Sequence, residues 1–272
     1  MLRLAVLAIV PLAVAFVPHL PSHALRRATA TATARSAVVD SDEIVELASD
    51  GTFATVFVAG ATSGVGKLCV ERLLAQGKKV VALARSEEGA LALEAMGATV
   101  ARGDATDMAV IEPALDGCDA CITTMGGTNP DGSRSDYKAN AAVIEAAGIY
   151  GVSRIVLVTS IGCGDSKDAL PEAAYATLEG ALVEKNKAEK MLSRYYTNSL
   201  WTIIRPGGLS DDAPSGKALL TEDRAAIGAV TRADVADLVV AQLDSTATDK
   251  KILACVDPSR RPDGPSYEAL AF

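Results

Sequence analysis

Three glycines follow an apolar stretch of the chain at a spacing that suits phosphate binding. Residues 53–59 are mostly apolar, and Gly60, Gly64 and Gly66 come shortly after them. Such glycines let the backbone turn tightly, approach a phosphate closely and begin a helix whose N-terminus offers free N–H groups and a positive dipole end. The pattern predicts a pyrophosphate site. Its expected contacts are Gly60, Thr62, Ser63, Gly64, Val65 and Gly66.

The segments on either side of these glycines favour a nucleotide site over an ordinary turn. Residues 53–59 have the composition of a buried strand, and residues 67–76 form an amphipathic pattern that ends at Gly77. Glycines alone are weak evidence, because they are common in turns and at close packing contacts. A strand before the turn and a helix after it are the context in which this spacing binds dinucleotides.

The end of the next predicted strand carries information about which dinucleotide binds. An NAD site usually has Asp or Glu there to bind the ribose 2′-hydroxyl. In this chain the strand 79–84 is followed by Arg85 and Ser86. Because arginine suits a 2′-phosphate, NADP(H) is favoured and NAD(H) is less expected. The alternative is a solvated arginine without a role.

The later strand ends predict further cofactor contacts. Asp104 and Ala105 follow the predicted strand 98–101, where a carboxylate could accept a hydrogen bond from the adenine amino group. The strand 119–124 ends in a Met-Gly-Gly loop, which by topology faces the cofactor crevice. The expected cofactor contacts at this strand end are Thr124, Met125 and Gly126.

The alternation of apolar strands and helical segments indicates an α/β fold with a doubly wound parallel sheet. Residues 51–272 form one predicted domain, and residues 208–228 are an expected irregular, substrate-covering insertion rich in Gly, Asp and Ser. Other predicted strands are 153–159, 200–204 and 251–256, and predicted helices are 87–96, 136–150, 173–196 and 231–243.

The first 50 residues have the composition of a targeting leader. Residues 1–17 combine Arg3 with an apolar run too short to span a bilayer comfortably, as in a signal peptide. Residues 18–50, a transit peptide and linker, begin rich in Ala, Thr and Arg. With Phe16 after the Ala-x-Ala pattern at 13–15, the leader resembles bipartite plastid leaders of algae with secondary plastids. Secretion, mitochondrial import and an N-terminal anchor are alternatives; no stable transmembrane segment is expected after the leader.

Charge and histidine content narrow the possible functions. The chain has 26 basic and 34 acidic residues, and residues 1–37 contain four of the basic ones and no acidic one. The remainder has 22 basic residues against 34 acidic, which disfavours a nucleic-acid partner. Both histidines, His19 and His23, lie in the leader. Histidine-dependent triads and histidine-ligated metals are therefore not expected in the domain, and no metal site is predicted.

The pair Cys118 and Cys121 has the spacing of a redox motif. It falls on a predicted buried strand, where residues three apart point to opposite faces. We therefore expect buried, unpaired thiols, with a redox role as the alternative.

With these motifs in order, the chain resembles the short-chain dehydrogenase/reductase superfamily. It is similar to the atypical NAD(P)-binding group that contains NmrA-like regulators, biliverdin/flavin reductases and chloroplast translocon- and photosystem-associated members. The resemblance rests on the glycine turn, residues 103–105, 158–160 and 201–208, and spans about residues 53–256. Active members use Tyr followed four residues later by Lys, but none of the six tyrosines has Lys at that spacing.

The resemblance leaves two functions open. It implies catalytic roles for Ser160, near the nicotinamide, and for Lys187 on the long helix; a strand end and an exposed helix lysine are the alternatives. It also implies cofactor contacts from Lys187, Pro206 and Gly207. A reductase without the tyrosine can still reduce a conjugated flavin, quinone or tetrapyrrole acceptor. The other possibility is a non-catalytic NADP(H)-binding protein with a thylakoid or assembly partner.

Overall fold

The computed structural model describes residues 53–261 and 264–272. The predicted signal peptide at 1–17 and transit segment at 18–50 lie outside these ranges, so their prediction stays untested. The described residues contain ten strands and six α-helices. The strands are β1 Thr55–Ala59, β2 Lys79–Ala84, β3 Thr99–Arg102, β4 Ala120–Thr123, β5 Arg154–Val158, β6 Leu200–Pro206, β7 Gly208–Ser210, β8 Leu219–Thr221, β9 Ala229–Thr231 and β10 Lys251–Val256. The helices are α1 Gly64–Ala75, α2 Glu87–Ala95, α3 Met108–Leu115, α4 Lys138–Ile149, α5 Glu172–Tyr195 and α6 Arg232–Ala241.

Eight strands form the main sheet in the order β3-β2-β1-β4-β5-β6-β10-β8. All neighbouring pairs are parallel except β10 with β8. The chain reverses its direction of winding between β1 and β4, which is where ligands bind in open α/β sheets. The predicted doubly wound α/β fold is confirmed.

Strand side chains alternate between the two faces of the sheet, as the two-residue period requires. Val56 and Val58 pack into a cluster with α1, α2 and α6. Phe57 and Ala59 of the same strand pack into a second cluster with α3, α4 and α5. The helices therefore cover both faces, and the strand ends carry the loops of the crevice.

The predicted insertion at 208–228 differs from expectation because it contains regular structure. β7 pairs with β9 in a small parallel sheet, and β8 adds an antiparallel edge beside β10. Strands of three residues are too short to show periodicity in the sequence, which explains why these strands were not predicted. The C-terminal tail packs on this region, since Tyr267 Oη donates to the Ile227 carbonyl at 2.9 Å.

All five cysteines are buried and unpaired. Burial raises the pKa of the Cys69, Cys118 and Cys163 thiols to about 12. Cys118 donates its thiol hydrogen to the Ala114 carbonyl at 3.3 Å. The expectation of buried thiols is confirmed. Within residues 53–261 and 264–272, no helix is long and apolar enough to cross a bilayer.

Candidate functional site

A crevice of about 1140 Å³ opens at the carboxyl ends of β1, β2, β4 and β5. It contains most of the residues predicted from sequence. Those that line it are Gly60, Thr62, Ser63, Gly64, Val65, Arg85, Ser86, Asp104, Ala105, Thr124, Met125, Gly126 and Ser160. Four predicted residues are not part of its lining: Gly66, Lys187, Pro206 and Gly207. Their roles and those of the lining residues in binding stay predictions.

The turn after β1 requires glycine at two positions. Gly60 has a φ of +82°, and a Cβ atom there would lie 2.4 Å from Thr124 Oγ1. At Gly66 a Cβ atom would lie 2.1 Å from the Gly60 carbonyl oxygen. Thr124, which follows β4, holds the end of β1 by donating its hydroxyl to the Ala59 carbonyl at 3.2 Å. Gly66 is thus a packing residue that brings α1 against the turn.

The start of α1 faces the crevice with unused hydrogen-bond donors. Ser63 is the N-cap residue, and its side chain makes no capping hydrogen bond. The first backbone bond of the helix is from the Lys67 N–H to the Ser63 carbonyl at 3.2 Å. The N–H groups of residues 64–66 precede that bond, so the helix end is suited to an anion.

Arg85 comes directly after β2. It lies in the same part of the crevice as the start of α1, at the opposite end. Its Nη1 donates to Asn129 Oδ1 at 3.1 Å and lies 3.7 Å from Asp104 Oδ2. Its side chain is 58% exposed, so its remaining donors are open to a ligand. Ser86 caps α2 by accepting from the Gly89 N–H at 3.1 Å. A cation and a helix N-terminus therefore adjoin one another here.

Asp104 is held in its ionised form. Thr106 donates both its hydroxyl, at 2.6 Å, and its backbone N–H, at 2.8 Å, to Asp104 Oδ1. These hydrogen bonds, with a smaller contribution from Arg85, lower the pKa of Asp104 below its ordinary value. An ionised carboxylate can accept a hydrogen bond from an amino group of a ligand.

The predicted helix lysine, Lys187, does not line the crevice. Lys187 is half exposed and donates to Glu184 at 2.5 Å, outside the crevice lining. Lys185 lines the crevice instead, with Leu178, Ala181 and Leu182 of the same helix. Residue 181, four before Lys185, is alanine, so Lys185 also lacks the tyrosine of the family pair. In the described part of the chain, no tyrosine lines the crevice.

Lys185 belongs to a polar cluster beneath the Met125–Gly126 loop. Its Nζ lies 3.1 Å from Oδ1 of the buried Asp136 and donates to the Met125 carbonyl at 3.4 Å. Asn140 donates to the same carbonyl at 3.0 Å and to the Asp136 carbonyl at 2.6 Å. Because several groups hold it, this loop has a defined conformation at the centre of the crevice.

Ser160 lies at the end of β5 and donates its hydroxyl to the Ile161 carbonyl at 2.9 Å. The preceding Thr159 donates to Oε1 of the buried Glu189 at 2.6 Å. Glu189 forms a buried ion pair with Arg205, whose Nη2 lies 2.7 Å from Oε2. Burial alone would lower the pKa of Arg205, but the hydrogen bonds that Arg205 donates to the Glu189 and Asp165 carboxylates, together with their charges, outweigh burial and raise the pKa. This pair fixes the loop that carries Ser160.

Pro206 and Gly207 support the site from outside the crevice. The Pro206 carbonyl accepts from the Ile161 N–H at 3.0 Å, and the Gly207 N–H donates to the Cys255 carbonyl at 2.9 Å. A Cβ atom at Gly207 would lie 2.1 Å from the Gly228 carbonyl oxygen. They connect the β5 loop with the insertion, and their direct contact with the cofactor stays a prediction.

Several residues that line the crevice come from distant segments and were not predicted from the sequence. Arg134, Lys185, Leu209 and Arg232 all line the crevice. Arg232 is the first residue of α6, pairs with Asp211 at 2.9 Å, and has its Cδ 3.8 Å from the position of a Cβ at Gly64. The only sequence signal for these residues was the position of Arg232, a charged residue beside a predicted helix start. Within the described ranges, no cluster of three or more His, Cys, Asp or Glu could hold a metal ion.

The arrangement agrees with comparisons to known proteins. The sequence model of a family described as NAD(P)H-binding matches residues 60–246, which include the glycine turn and the start of α6. The chain belongs to this NAD(P)H-binding family. The fold and motifs of this chain place it within the short-chain dehydrogenase/reductase superfamily, as the resemblance implied.

Three similar proteins illustrate the range of this family. The uncharacterized sugar epimerase YhfK of Bacillus subtilis is 31% identical over 79% of this chain and 98% of its own length. An uncharacterized chloroplast protein of Arabidopsis thaliana is 31% identical over 79% of this chain and 80% of its own. The solved structure of ChuY, an anaerobilin reductase from Escherichia coli O157:H7, is 35% identical with a TM-score of 0.70, covering 78% of this chain and all of ChuY. Several other relatives are chloroplast proteins.

Proposed function

We propose that this family member is an NADPH-dependent oxidoreductase that reduces a conjugated acceptor of the flavin, quinone or tetrapyrrole kind. The observation that carries the proposal is one continuous crevice with two different ends. One end has the glycine turn and Arg85, and the other has an apolar wall beside Ser160 and Met125. Such a crevice can hold a dinucleotide and a flat acceptor next to each other.

Arg85 and the start of α2 support NADPH rather than NADH. The exposed guanidinium of Arg85 lies beside the helix N-terminus capped by Ser86. A 2′-phosphate placed there would receive charge-assisted hydrogen bonds and a favourable helix dipole. Asn129 and Asp104 orient the guanidinium from two sides.

The acceptor end supports a substrate that needs no acid positioned by the protein. Leu178, Leu182 and Leu209 supply apolar surface for a ring system. When bound, NADPH supplies a hydride, and a conjugated acceptor delocalises the resulting negative charge and takes its proton from water. The residues of this end exclude part of the solvent and orient the acceptor, while Ser160 offers a hydroxyl at the strand end.

Relatives support the class of acceptor and the compartment. ChuY is described as an anaerobilin reductase, and the match includes its whole length. The chloroplast relatives, together with the leader composition, lead us to propose plastid delivery.

A turnover assay tests the proposal directly. The purified chain is mixed with NADPH and, separately, with flavins, quinones and bilins, and the absorbance of NADPH is followed. We expect oxidation that depends on the chain and on one class of acceptor. Tight NADPH binding without oxidation by any of the three classes would overturn the enzyme proposal.

That second outcome would favour the other candidate, a non-catalytic NADP(H)-binding protein that acts through a thylakoid or assembly partner. The feature that favours it is the crevice wall on α5, which has Ala181 where the family tyrosine would precede Lys185. Such a protein would retain the cofactor end and would change partner affinity with cofactor occupancy.

A further inference from the structure

The acceptor end of the crevice contains two cations that share one buried carboxylate. Arg134 Nη2 lies 2.7 Å from Asp136 Oδ2, and Lys185 Nζ lies 3.1 Å from Asp136 Oδ1. The Asp136 side chain is 1% exposed, so it faces these cations rather than solvent. All three residues line the crevice. Their formal charges leave this cluster, which we call the Arg134–Lys185 site, with one net positive charge.

Both cations retain donors that the protein does not use. Arg134 Nη1 donates to Thr128 Oγ1 at 3.3 Å, and 32% of the Arg134 side chain is exposed. Lys185 Nζ donates to the Met125 carbonyl at 3.4 Å. A guanidinium has five N–H donors and an ammonium three, so the site has capacity for another acceptor group.

The Arg134–Lys185 site lies beside the apolar wall and the central loop. A Cβ atom at Gly126 would lie 2.8 Å from Lys185 Nζ, so the loop after β4 passes directly over the ion pair. Arg134 Cδ lies 4.0 Å from the position of a Cβ at Gly180, on the helix that carries Leu178 and Leu182. A ligand bound here would contact charge and apolar surface together.

The cofactor phosphates have other cations close to their predicted positions. Arg232 lies beside Gly64 at the glycine turn, and Arg85 lies beside the capped start of α2. Two positively charged positions therefore already serve the dinucleotide end. The unbalanced charge of the Arg134–Lys185 site is available to the acceptor.

We infer that Arg134 and Lys185 bind a carboxylate of the acceptor, so that the acceptor is a conjugated molecule with at least one carboxylate. This inference rests on the proposed function, because it assigns a chemical class to the same acceptor. The chain has a net charge of −8, and its acidic exterior would repel such a ligand elsewhere. A local positive site within it steers and orients the anion.

The test compares binding of one acceptor as its acid and as its ester. Biliverdin and biliverdin dimethyl ester are titrated into the full purified chain saturated with NADP⁺, and binding is followed by bilin absorbance. We expect the acid to bind about tenfold more tightly than the ester, as one charge-assisted contact would provide. R134Q and K185M should each reduce this ratio towards one, because each weakens binding of the acid more than binding of the ester. Arg134→Lys keeps the charge and should preserve most of the ratio.

The matched control is K190M, an exposed lysine on the same helix and outside the crevice lining, which should leave the ratio unchanged. Equal affinity for acid and ester in the unaltered chain, or no binding of either, would overturn the inference. Equal losses for both forms in R134Q and K185M, or a loss of NADP⁺ affinity alone, would also overturn it.

The two proposals fail in different ways. A preserved acid-to-ester ratio without NADPH oxidation would overturn the enzyme proposal and leave the carboxylate site supported. Turnover of acid and ester with equal KM, and no change in R134Q, would overturn the carboxylate site and leave the enzyme proposal supported.

Discussion

The two ends of the crevice are constructed in different ways. The cofactor end is formed mainly by backbone atoms of one continuous stretch, residues 60–66, with Arg85 and Asp104 at the following strand ends. The acceptor end is formed by side chains from the loop after β4, the helix α5 and the insertion. One end therefore depends on local chain geometry, and the other depends on how distant segments pack together.

This difference separates binding from chemistry. A backbone site is a property of the strand-turn-helix unit and is expected in many family members, whatever they do. The acceptor end has Ala181 and Lys185 in place of a tyrosine-lysine pair, together with Arg134 and Leu209. Function in this chain is therefore decided at the second end.

The largest expected effect comes from G66A, which should disable the cofactor end alone. The added methyl group would lie 2.1 Å from the Gly60 carbonyl oxygen and 2.7 Å from Thr124 Oγ1, so the turn must move. We expect NADPH affinity to fall by at least about 100-fold and the free energy of unfolding to fall by about 2 kcal/mol. Fluorescence titration and denaturant unfolding measure the two quantities.

The matched control for G66A is G180A in α5. There a Cβ atom meets nothing nearer than 4.0 Å, and alanine favours a helix. We expect a gain of about 0.5–1 kcal/mol in unfolding free energy and no change in NADPH affinity. Normal NADPH binding by G66A would contradict the geometry assigned to the cofactor end.

A second variant, E189Q, should act on the acceptor end. Glu189 and Arg205 are each 3% exposed, and Glu189 also accepts from Thr159 beside Ser160. Removing one charge of a buried pair leaves the other poorly compensated, so we expect a loss of about 3 kcal/mol in unfolding free energy. Acceptor KM should rise more than the NADPH dissociation constant, as steady-state kinetics and titration would show.

Glu184 provides the control for E189Q because it lies on the same helix and pairs with the half-exposed Lys187. E184Q should change the unfolding free energy by less than about 1 kcal/mol. Similar losses in E184Q and E189Q would show that the buried pair has no special importance for the β5 loop.

The smallest expected effect is that of R85A, which should show which dinucleotide the cofactor end selects. Loss of the guanidinium should raise the NADPH dissociation constant by about tenfold, since one charge-assisted contact is removed. NADH lacks the 2′-phosphate and should bind as before. Paired titrations with both nucleotides measure the selectivity.

Arg102 is the matched control for R85A, since it ends β3, pairs with Glu87 and Glu94, and is not part of the crevice lining. R102A should leave both affinities unchanged. Equal weakening of NADPH and NADH in R85A would exclude Arg85 as the 2′-phosphate contact.

Much of the fold could be predicted because each long strand and helix contains its own apolar pattern. The predicted bounds of β2 and β10 agree with the structure. The short strands β7, β8 and β9 were missed, since each has three residues and gains its order from neighbouring strands.

The lysine on α5 shows why part of the site could not be predicted. Lys185 and Lys187 are two residues apart, which places them about 200° apart around a helix. Sequence spacing located the correct turn of the helix but not the face that packs towards the crevice. The orientation of α5 is fixed by residues such as Ala188 and Leu192, which pack in the core.

By itself, the sequence determined the α/β class, the glycine turn and the position of Arg85 after a strand, because each depends on residues close together in the chain. Only the tertiary structure decided that Lys185, Arg134 and Asp136 meet beneath the Met125 loop. Arg134 and Asp136 lie in the segment between β4 and α4, whereas Lys185 lies about 50 residues later on α5. The direction of each side chain depends on how its helix or loop packs against the others, which no local pattern contains.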